Sequence, residues 1–271
     1  MNENKFSDFV DIVKRLRIEC PWDREQTNDS IKANTIEEAY EVVEAIDNKD
    51  YDELKKELGD LLLHVVFHAE IAEGENKFTL EEVIDSIQAK LIRRHPHVFG
   101  ETEVSGSEQV KKNWETIKLS EGRESVLEGV PKMMPSLQRA CRLQEKASKV
   151  GFDWEKKEDV WKKVIEEIEE MHEAETIKND KLKIKNLNET DPEIVELQQK
   201  LEDEFGDVFF ALVNYARFLN INPENALRKT NQKFINRFSY VEKKIAEQGK
   251  KIHESTLAEM DRYWEESKKM E

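Results

Sequence analysis

The amino-acid sequence predicts an all-α protein built from two tandem helical bundles. Apolar residues recur at three- and four-residue steps in segments such as 6–16 and 80–92, which places them on one face of a helix. Nine Gly and six Pro in 271 residues provide few turn signals, so we expect long helices. No segment alternates apolar and polar residues as a half-buried strand does. We expect about four helices in each bundle.

The second observation behind this fold class is an internal repeat. Each half carries, in order, a short Trp-containing motif (CPWD or GFDW), an acidic segment, a Glu-x-Gly-Asp motif before an apolar run, a Lys-x-x-x-Arg step and a Trp-Glu pair. These features lie at 20–23, 35–46, 57–60, 90–94 and 114–115 in the first half, and at 151–154, 164–174, 204–207, 233–237 and 264–265 in the second. Their shared order indicates a duplicated domain.

The boundary between the copies is predicted from a segment rich in Gly and Pro, residues 120–137. We expect a first domain at 1–122, a linker at 123–136 and a second domain at 137–271. The copies differ most in length at 179–199, a polar stretch with an Asp-Pro break. We expect a mobile loop there.

Composition excludes several classes of partner. Asp and Glu outnumber Lys and Arg by 59 to 43, which argues against nucleic acid or an anionic membrane as partner, since both need a basic surface. No apolar stretch approaches the ~20 residues of a membrane span, and the amphipathic first segment lacks the apolar core of a signal peptide. Cys20 and Cys141 fit no metal-binding spacing and are expected to be reduced thiols. We therefore expect a cytoplasmic protein.

The repeated acidic residues predict a metal site in each copy. Carboxylates three residues apart on a helix share a face. Such pairs are Glu38 with Glu41, Glu57 with Asp60, Glu167 with Glu170, and Glu204 with Asp207. If the two helices of each copy pair antiparallel, four carboxylates converge, and each like-charge pair at ~5 Å costs about 3 kcal/mol at an effective dielectric constant near 20.

A divalent cation would relieve this repulsion. Ligation by oxygen alone favours Mg²⁺, with Mn²⁺ possible, over zinc. We interpret the glycine between Glu and Asp as allowing a close helix approach beside the metal. An isolated acidic motif of this kind would more often be a solvated helix face, but its recurrence with Glu-x-Gly-Asp in both copies favours the metal.

Other repeated residues flank these acids. Glu37 and Glu166 lie about 100° around the helix from their neighbours, at the edge of each cluster. The recurring basic steps in a strongly acidic protein favour a role beside an anion, and they consist of Lys90, Arg94, Lys233 and Arg237. Trp114 and Trp264 are candidates for packing or for stacking on a base, and packing is the commoner role.

Three alternatives stay open at the level of the residues. Asp60, His64 and His68 follow at four-residue steps and could bind zinc, but Ala211 and Tyr215 replace the histidines in the second copy. A helical interaction protein would leave the repeated Glu-x-Gly-Asp unexplained. A di-metal oxidase bundle would need Glu-x-x-His pairs aligned across helices, and the Gly-Asp helix of the second copy has none.

With these residues assembled, the chain resembles the MazG family of all-α nucleoside triphosphate pyrophosphohydrolases over essentially its whole length. The matching stretches include CPWDREQT (20–27), ELGDLLLHVVFHAEIAE (57–73), LEGVPKMMPSLQRA (127–140), KVGFDW (149–154) and EFGDVFFALVNYARFL (204–219). Asn28 stands where the family usually has histidine.

The resemblance implies an activity and a role for each candidate residue. A nucleoside triphosphate would be hydrolysed between its α and β phosphates to a monophosphate and pyrophosphate, by a protein that forms a homodimer. Mg²⁺ would be held by Glu38, Glu41, Glu57 and Asp60 in one copy and by Glu167, Glu170, Glu204 and Asp207 in the other. Glu37 and Glu166 would join a second metal or orient the attacking water. Lys90, Arg94, Lys233 and Arg237 would face the triphosphate, and Trp264, with Trp114, the nucleoside.

Overall fold

The computed structural model describes residues 5–107, 109–110, 113–114, 117, 121, 125–185 and 188–270. This part of the chain forms eleven α-helices and no strand, which confirms the all-α prediction. The helices are α1 (Lys5–Glu19), α2 (Pro21–Glu25), α3 (Asn28–Asn48), α4 (Tyr51–Gly74), α5 (Leu80–Arg94), α6 (Pro96–Phe99), α7 (Ser136–Ser148), α8 (Lys157–Lys185), α9 (Pro192–Phe218), α10 (Pro223–Glu247) and α11 (Leu257–Ser267).

Two compact units, 1–110 and 111–271, make up the chain. The predicted end of the first domain, residue 122, lies outside the described residues together with 123 and 124. The predicted domain limits therefore stay a prediction, although a two-part organisation is present.

Among the described helices, none is both long enough and apolar enough to cross a membrane.

In the first unit, a helical hairpin of α3 and α4 places the acidic residues. Thr27 caps α3 by accepting the amide hydrogen of Ser30, and Asp50 caps α4 by accepting those of Asp52 and Glu53. Lys49 adopts a left-handed conformation (φ 57°) between the helices, so that only two residues connect them. Such a short connection makes the two helices antiparallel neighbours.

The core of the first unit lies where α1 packs on α4. Val13 of α1, Ile31 of α3 and Val66 of α4 are at most 2% exposed, and the ring of Phe67 packs in the same cluster. Phe9 and Val10 cover its edge. Burial of these side chains fixes α4, and with it the acidic start of that helix, against α3.

The second unit repeats this arrangement with longer helices. α8 and α9 pack along each other, and α7 packs on α9 as α1 does on α4. Ile31 and Val160 are both buried at equivalent positions before the acidic motifs, as are Val66 and Val213 after the Glu-x-Gly-Asp motifs. The equal burial confirms that the sequence repeat is a structural repeat.

Two further features distinguish the second unit. Val241 and Ile245 of α10 pack with Tyr263 of α11 in a small separate core. The polar stretch at 179–199 is not the loop that we expected, because α8 continues to Lys185 and α9 begins at Pro192. Lys181 pairs with Glu193 across the two helices at 2.7 Å, so the additional residues mostly lengthen the hairpin.

Candidate active site

Three carboxylates of the first unit meet between α3 and α4. One oxygen from each of Glu38, Glu41 and Glu57 lies within 4.8 Å of the other two. Glu57 is 8% exposed although it is an acid. Burial raises the pKa of Glu38, and the charges of Glu41, Asp60 and Glu37 raise it further. Asp60 and Glu37 are thus close enough to act on the cluster, although Asp60 is outside the three-oxygen set.

The electrostatics of this first cluster are those of a site that requires a counter-charge. Loss of solvent around Glu57, together with hydrogen bonds to Glu53 and Glu41, raises the pKa of its carboxyl to about 7. An acidic cleft of about 250 Å³ adjoins the cluster and is lined by Glu41, Glu44, Ala45, Asn48, Asp50, Glu53 and Glu57. The sequence analysis missed Glu44 and Glu53, which lie one turn from Glu41 and Glu57 and extend the acidic surface.

The second unit holds the equivalent cluster between α8 and α9. One oxygen from each of Glu167, Glu204 and Asp207 lies within 4.8 Å of the others, and Glu167 is 8% exposed. Loss of solvent and the charge of Glu167 raise the pKa of Glu170, which lies outside the three-oxygen set. Both groups offer only carboxylate oxygens at a spacing that suits a hard cation, so the donor chemistry fits a divalent metal.

A lysine that the sequence analysis missed neutralises part of the second cluster. The Nζ atom of Lys163 lies 2.7 Å from Glu167 Oε1 and 2.6 Å from Glu166 Oε1. The hydrogen bonds that the Lys163 ammonium donates to these two carboxylates raise the pKa of Lys163 above its usual range. The four-residue step from Lys163 to Glu167 on a helix was the signal in the sequence that could have identified it.

A pocket of about 650 Å³ opens beside the second cluster. Glu167 and Asp207 line one part of it together with Lys163, and its apolar wall includes Leu143 and Phe210. Phe152 and Trp154, from the KVGFDW motif that the sequence analysis quoted without assigning a role, also line it. The volume and the mixture of an apolar wall with a few polar groups are typical of a small-molecule site.

Polar side chains of α7, of α9 and of the segment before α8 also line the pocket. Arg217 donates from Nη1 to Asp153 Oδ2 at 2.9 Å and from Nη2 to Asp153 Oδ1, and this pair fixes the segment before α8 to α9. Asn214 lies one turn before Arg217 on α9 and accepts hydrogen bonds from it. Gln144 of α7 is 8% exposed and donates from Nε2 to the Phe210 carbonyl at 2.8 Å.

Comparison with known proteins agrees with this arrangement of paired helices and repeated acids. Residues 26–99 and 155–241 each match the model of the MazG nucleotide pyrophosphohydrolase domain. The chain belongs to the MazG family. The predicted family resemblance and the predicted duplication are therefore confirmed.

Relatives match this MazG chain from end to end. It is 43% identical to the nucleoside triphosphate pyrophosphohydrolase/pyrophosphatase MazG of Thermotoga maritima, over 97% of this chain and 95% of that protein. It is 40% identical to the nucleoside triphosphate pyrophosphohydrolase of Escherichia coli K12, over 99% of this chain and 98% of that protein. It is also 45% identical to the uncharacterized protein YabN of Bacillus subtilis, over 99% of this chain but 52% of YabN.

The basic residues of the second MazG domain lie apart from the pocket wall. The guanidinium of Arg237, on α10, lies 5.7 Å from the centroid of the Trp264 ring, and the ring of Phe234 lies 5.2 Å from the same centroid. Trp264 also packs on the small core between α10 and α11. None of the described residues that line the pocket comes from α10 or α11. A role of Lys233, Arg237 and Trp264 at the triphosphate therefore stays a prediction.

The counterparts in the first MazG domain are only partly placed. Lys90 is exposed and Arg94 half-buried at the end of α5, which packs on α4. Trp114 belongs to the second compact unit, so its predicted place beside the first cluster also stays a prediction.

The histidines of the first domain form a hydrogen-bonded network instead of a separate zinc site. Thr35 Oγ1 lies 3.0 Å from His64 Nδ1 and 2.8 Å from His68 Nε2, and Asn28 Oδ1 lies 2.5 Å from His68 Nδ1. His64 Nε2 is 3.9 Å from Glu38 Oε1. Burial lowers the pKa of both histidines, which favours neutral rings.

The interpretation of the repeated glycine requires correction. We expected a close helix approach at the Glu-x-Gly-Asp motifs, yet a Cβ atom added at Gly59 or Gly206 would meet no atom within 4 Å. The side chains that precede these glycines in the sequence, Leu58 and Phe205, are half exposed. Packing within the described chain therefore does not require either glycine.

Proposed function

We propose that the chain hydrolyses nucleoside triphosphates between the α and β phosphates and releases a nucleoside monophosphate and pyrophosphate. The observation that carries this proposal is the 650 Å³ pocket of the second domain, whose apolar wall adjoins the cluster of Glu167, Glu204 and Asp207. Such a pocket can take a nucleoside at its apolar end and a metal–triphosphate at its acidic end. Membership of the MazG family supports the same reaction.

We assign Mg²⁺, with Mn²⁺ as a substitute, to both clusters. Glu38, Glu41 and Glu57 would hold it in the first domain and Glu167, Glu204 and Asp207 in the second, with Asp60 and Glu170 completing the sets. When bound, the ion supplies the positive charge that a triphosphate needs in order to approach a carboxylate cluster and to be cleaved there.

The remaining polar side chains would position the substrate and the water. Glu166 is the carboxylate at the rim of the second cluster and would accept a proton from the attacking water, as Glu37 would in the first. Lys163 forms ion pairs with Glu166 and Glu167. When a triphosphate binds, the Lys163 ammonium would leave these carboxylates and pair with phosphate oxygens. Lys233 and Arg237, with Lys90 and Arg94 in the first domain, would neutralise the rest of the triphosphate.

A homodimer is part of this proposal. Large apolar side chains are half exposed on α9 and α10, among them Phe205, Phe209, Phe234 and Ile235. Exposed aromatic residues at this density are typical of an interaction surface, which a second copy of the chain would cover. If two chains paired through these helices, Lys233 and Arg237 on α10 of one chain could reach the pocket of the other. None of the described residues that line this pocket comes from α10. The cytoplasmic location stays a prediction.

Product analysis by phosphorus NMR tests the reaction. The protein is incubated with ATP and with dTTP, in Mg²⁺ and again in EDTA. Monophosphate and pyrophosphate should form only with Mg²⁺, and Glu204→Gln should abolish them. The matched control is Glu196→Gln, which makes the same change at an exposed position of α9. Diphosphate and phosphate as products would contradict the bond assignment, and no product from any nucleoside triphosphate would favour a helical interaction protein.

A further inference from the structure

The structure fixes the orientation of the Asn214 side chain in the pocket wall. Its Oδ1 atom accepts hydrogen bonds from Arg217 Nη2 at 2.9 Å and from Arg217 Nε at 3.2 Å. A guanidinium has five donors and no acceptor, so only the oxygen of the Asn214 amide can face it. The Nδ2 group is therefore directed away from Arg217, and it is the part of this pocket-lining amide that remains to serve a ligand.

The neighbouring polar groups do not compete for the same ligand atom. Both carboxylate oxygens of Asp153 accept from Arg217, which holds the guanidinium in place against Asn214. Gln144 is the other amide in the wall, and its Nε2 is bonded to the Phe210 carbonyl. Its buried Oε1 has no hydrogen-bond partner among the described residues, but this atom can only accept and so does not compete for an oxo group. Asn214 is only partly buried, so a molecule in the pocket can reach its amide nitrogen.

The position of Asn214 along α9 corresponds to the nucleoside end of a bound nucleotide. Asn214 follows Asp207 by seven residues, which is two helical turns on the same face and about 10 Å along the axis. If the phosphates bind at Asp207, Asn214 lies far enough toward the apolar wall to face the base of the nucleotide and not its triphosphate.

The duplication supplies an internal comparison. Counted from the Glu-x-Gly-Asp motifs, the residue equivalent to Asn214 in the first domain is Phe67. Phe67 is 6% exposed and packs in the core with Val13 of α1. The same helix position thus closes the core in one domain and presents an amide to a pocket in the other, so packing of the fold does not require an amide there.

We propose that Asn214 selects the base by donating an Nδ2 hydrogen bond to an exocyclic oxo group at C4 of a pyrimidine or C6 of a purine, in preference to an amino group at the same position. An exocyclic substituent projects beyond the ring nitrogens and meets a donor in the wall first. An oxo group accepts that hydrogen bond, whereas an amino group places donor against donor and leaves the Asn214 amide unpaired inside the occupied pocket. This inference rests on the proposed function and assigns uracil, thymine, guanine and hypoxanthine as favoured over cytosine and adenine.

The test compares pairs of substrates that differ at this group. The ratio of kcat/KM for UTP to that for CTP, and for ITP to ATP, is measured as pyrophosphate release in Mg²⁺. We expect the wild-type protein to favour the oxo base about tenfold or more, since a donor left unpaired in a site of this kind typically costs that factor or more. Asn214→Asp keeps an oxygen toward Arg217 and replaces the donor by an acceptor, so both ratios should fall below one.

Two further variants make the outcome decisive. Asn214→Leu removes the donor without adding an acceptor and should bring both ratios close to one, even if the Asp variant proves unstable. Asn179→Asp makes the same chemical change on an exposed part of α8 and should leave both ratios unchanged. Wild-type ratios at or below one, or ratios that the Asn214 variants leave unchanged, would overturn the inference while leaving the pyrophosphohydrolase intact. Absence of pyrophosphate from all four nucleotides would instead overturn the proposed function.

Discussion

Replacement of Gly206 by alanine should stabilise the protein, although the residue lies within the repeated Glu-x-Gly-Asp motif. Gly206 is in the interior of α9, where glycine costs about 1 kcal/mol relative to alanine through backbone entropy. A Cβ atom at this position meets nothing within 4 Å, so no steric cost offsets the gain. We expect the free energy of unfolding to rise by about 1 kcal/mol and Tm by about 2–4 °C.

Gly249 provides a control in which the same substitution has the opposite sign. It too has no atom within 4 Å of an added Cβ, but its φ is +73°, a left-handed conformation that alanine adopts only with strain. Gly249→Ala should lower the free energy of unfolding by about 1 kcal/mol. An added Cβ meets no atom within 4 Å at either glycine. A difference in stability between the two variants therefore reports on backbone conformation and not on packing.

The assay is urea unfolding followed by far-UV circular dichroism, with Mg²⁺ affinity measured by calorimetry on the same samples. Gly206→Ala should raise stability and leave the Mg²⁺ affinity unchanged. A loss of stability would show that atoms outside the described residues, for example those of a second subunit, approach Gly206. A loss of Mg²⁺ binding would support our first interpretation, in which the glycine allows a close helix approach beside the metal. Gly59→Ala makes the equivalent change in the first domain.

Three other substitutions test particular contacts. Lys163→Met should tighten Mg²⁺ binding to the second cluster about two- to fivefold by calorimetry, because the ammonium competes for Glu167; weaker binding would contradict this competition. Lys146 is 3% exposed and donates hydrogen bonds to the carbonyls of Val126 and Glu128 at 3.0 Å. Lys146→Met should therefore lower the free energy of unfolding by about 1–3 kcal/mol. It should also raise KM, because Leu127, which lies between these two carbonyls, belongs to the pocket wall. Burial raises the pKa of the Glu70 carboxyl. The contribution of Glu70 to stability is therefore full below its pKa in the unfolded chain and is lost as pH rises through its pKa in the folded protein. Glu70→Gln should accordingly gain stability relative to wild type with rising pH in denaturant titrations, and a stability difference that does not change with pH would refute this assignment.

The sequence was sufficient for most of the helices and for three acids of each cluster because both depend on local periodicity. Glu38 and Glu41 share a face by their spacing alone, and the hairpin of α3 and α4 brings Glu57 to them as predicted. The interpretation of 179–199 as a loop was wrong because polar composition and an Asp-Pro step are also compatible with the ends of two long helices. Proline is tolerated in the first turn of a helix, where Pro192 lies.

The pocket could not be predicted from the sequence because it depends on contacts between distant segments. Asp153 and Arg217 are ordinary charges in the sequence, and their pairing appears only when the segment before α8 packs on α9. Gln144 lies on a third helix. Without the relative positions of these segments, no spacing rule distinguishes such residues from exposed polar ones.

The two domains have similar acids but different surroundings, so we expect both to bind metal and the second to carry most of the turnover. The cleft beside the first cluster is lined by Glu44 and Glu53 in addition to the cluster itself, which favours a cation and repels a triphosphate. The pocket beside the second cluster is mostly apolar and contains Lys163 and Arg217. Glu57→Gln should therefore lower the number of Mg²⁺ ions bound per chain with little change in kcat.

Glu204→Gln should lower both the Mg²⁺ stoichiometry and kcat, because its carboxylate belongs to the cluster that adjoins the pocket. Calorimetry and pyrophosphate release on the two variants measure these quantities independently. Equal losses of kcat in both variants would mean that the first domain also takes substrate. The acidic cleft would then have to be screened by bound cations, and turnover at the first cluster would rise more steeply with Mg²⁺ concentration than turnover at the second.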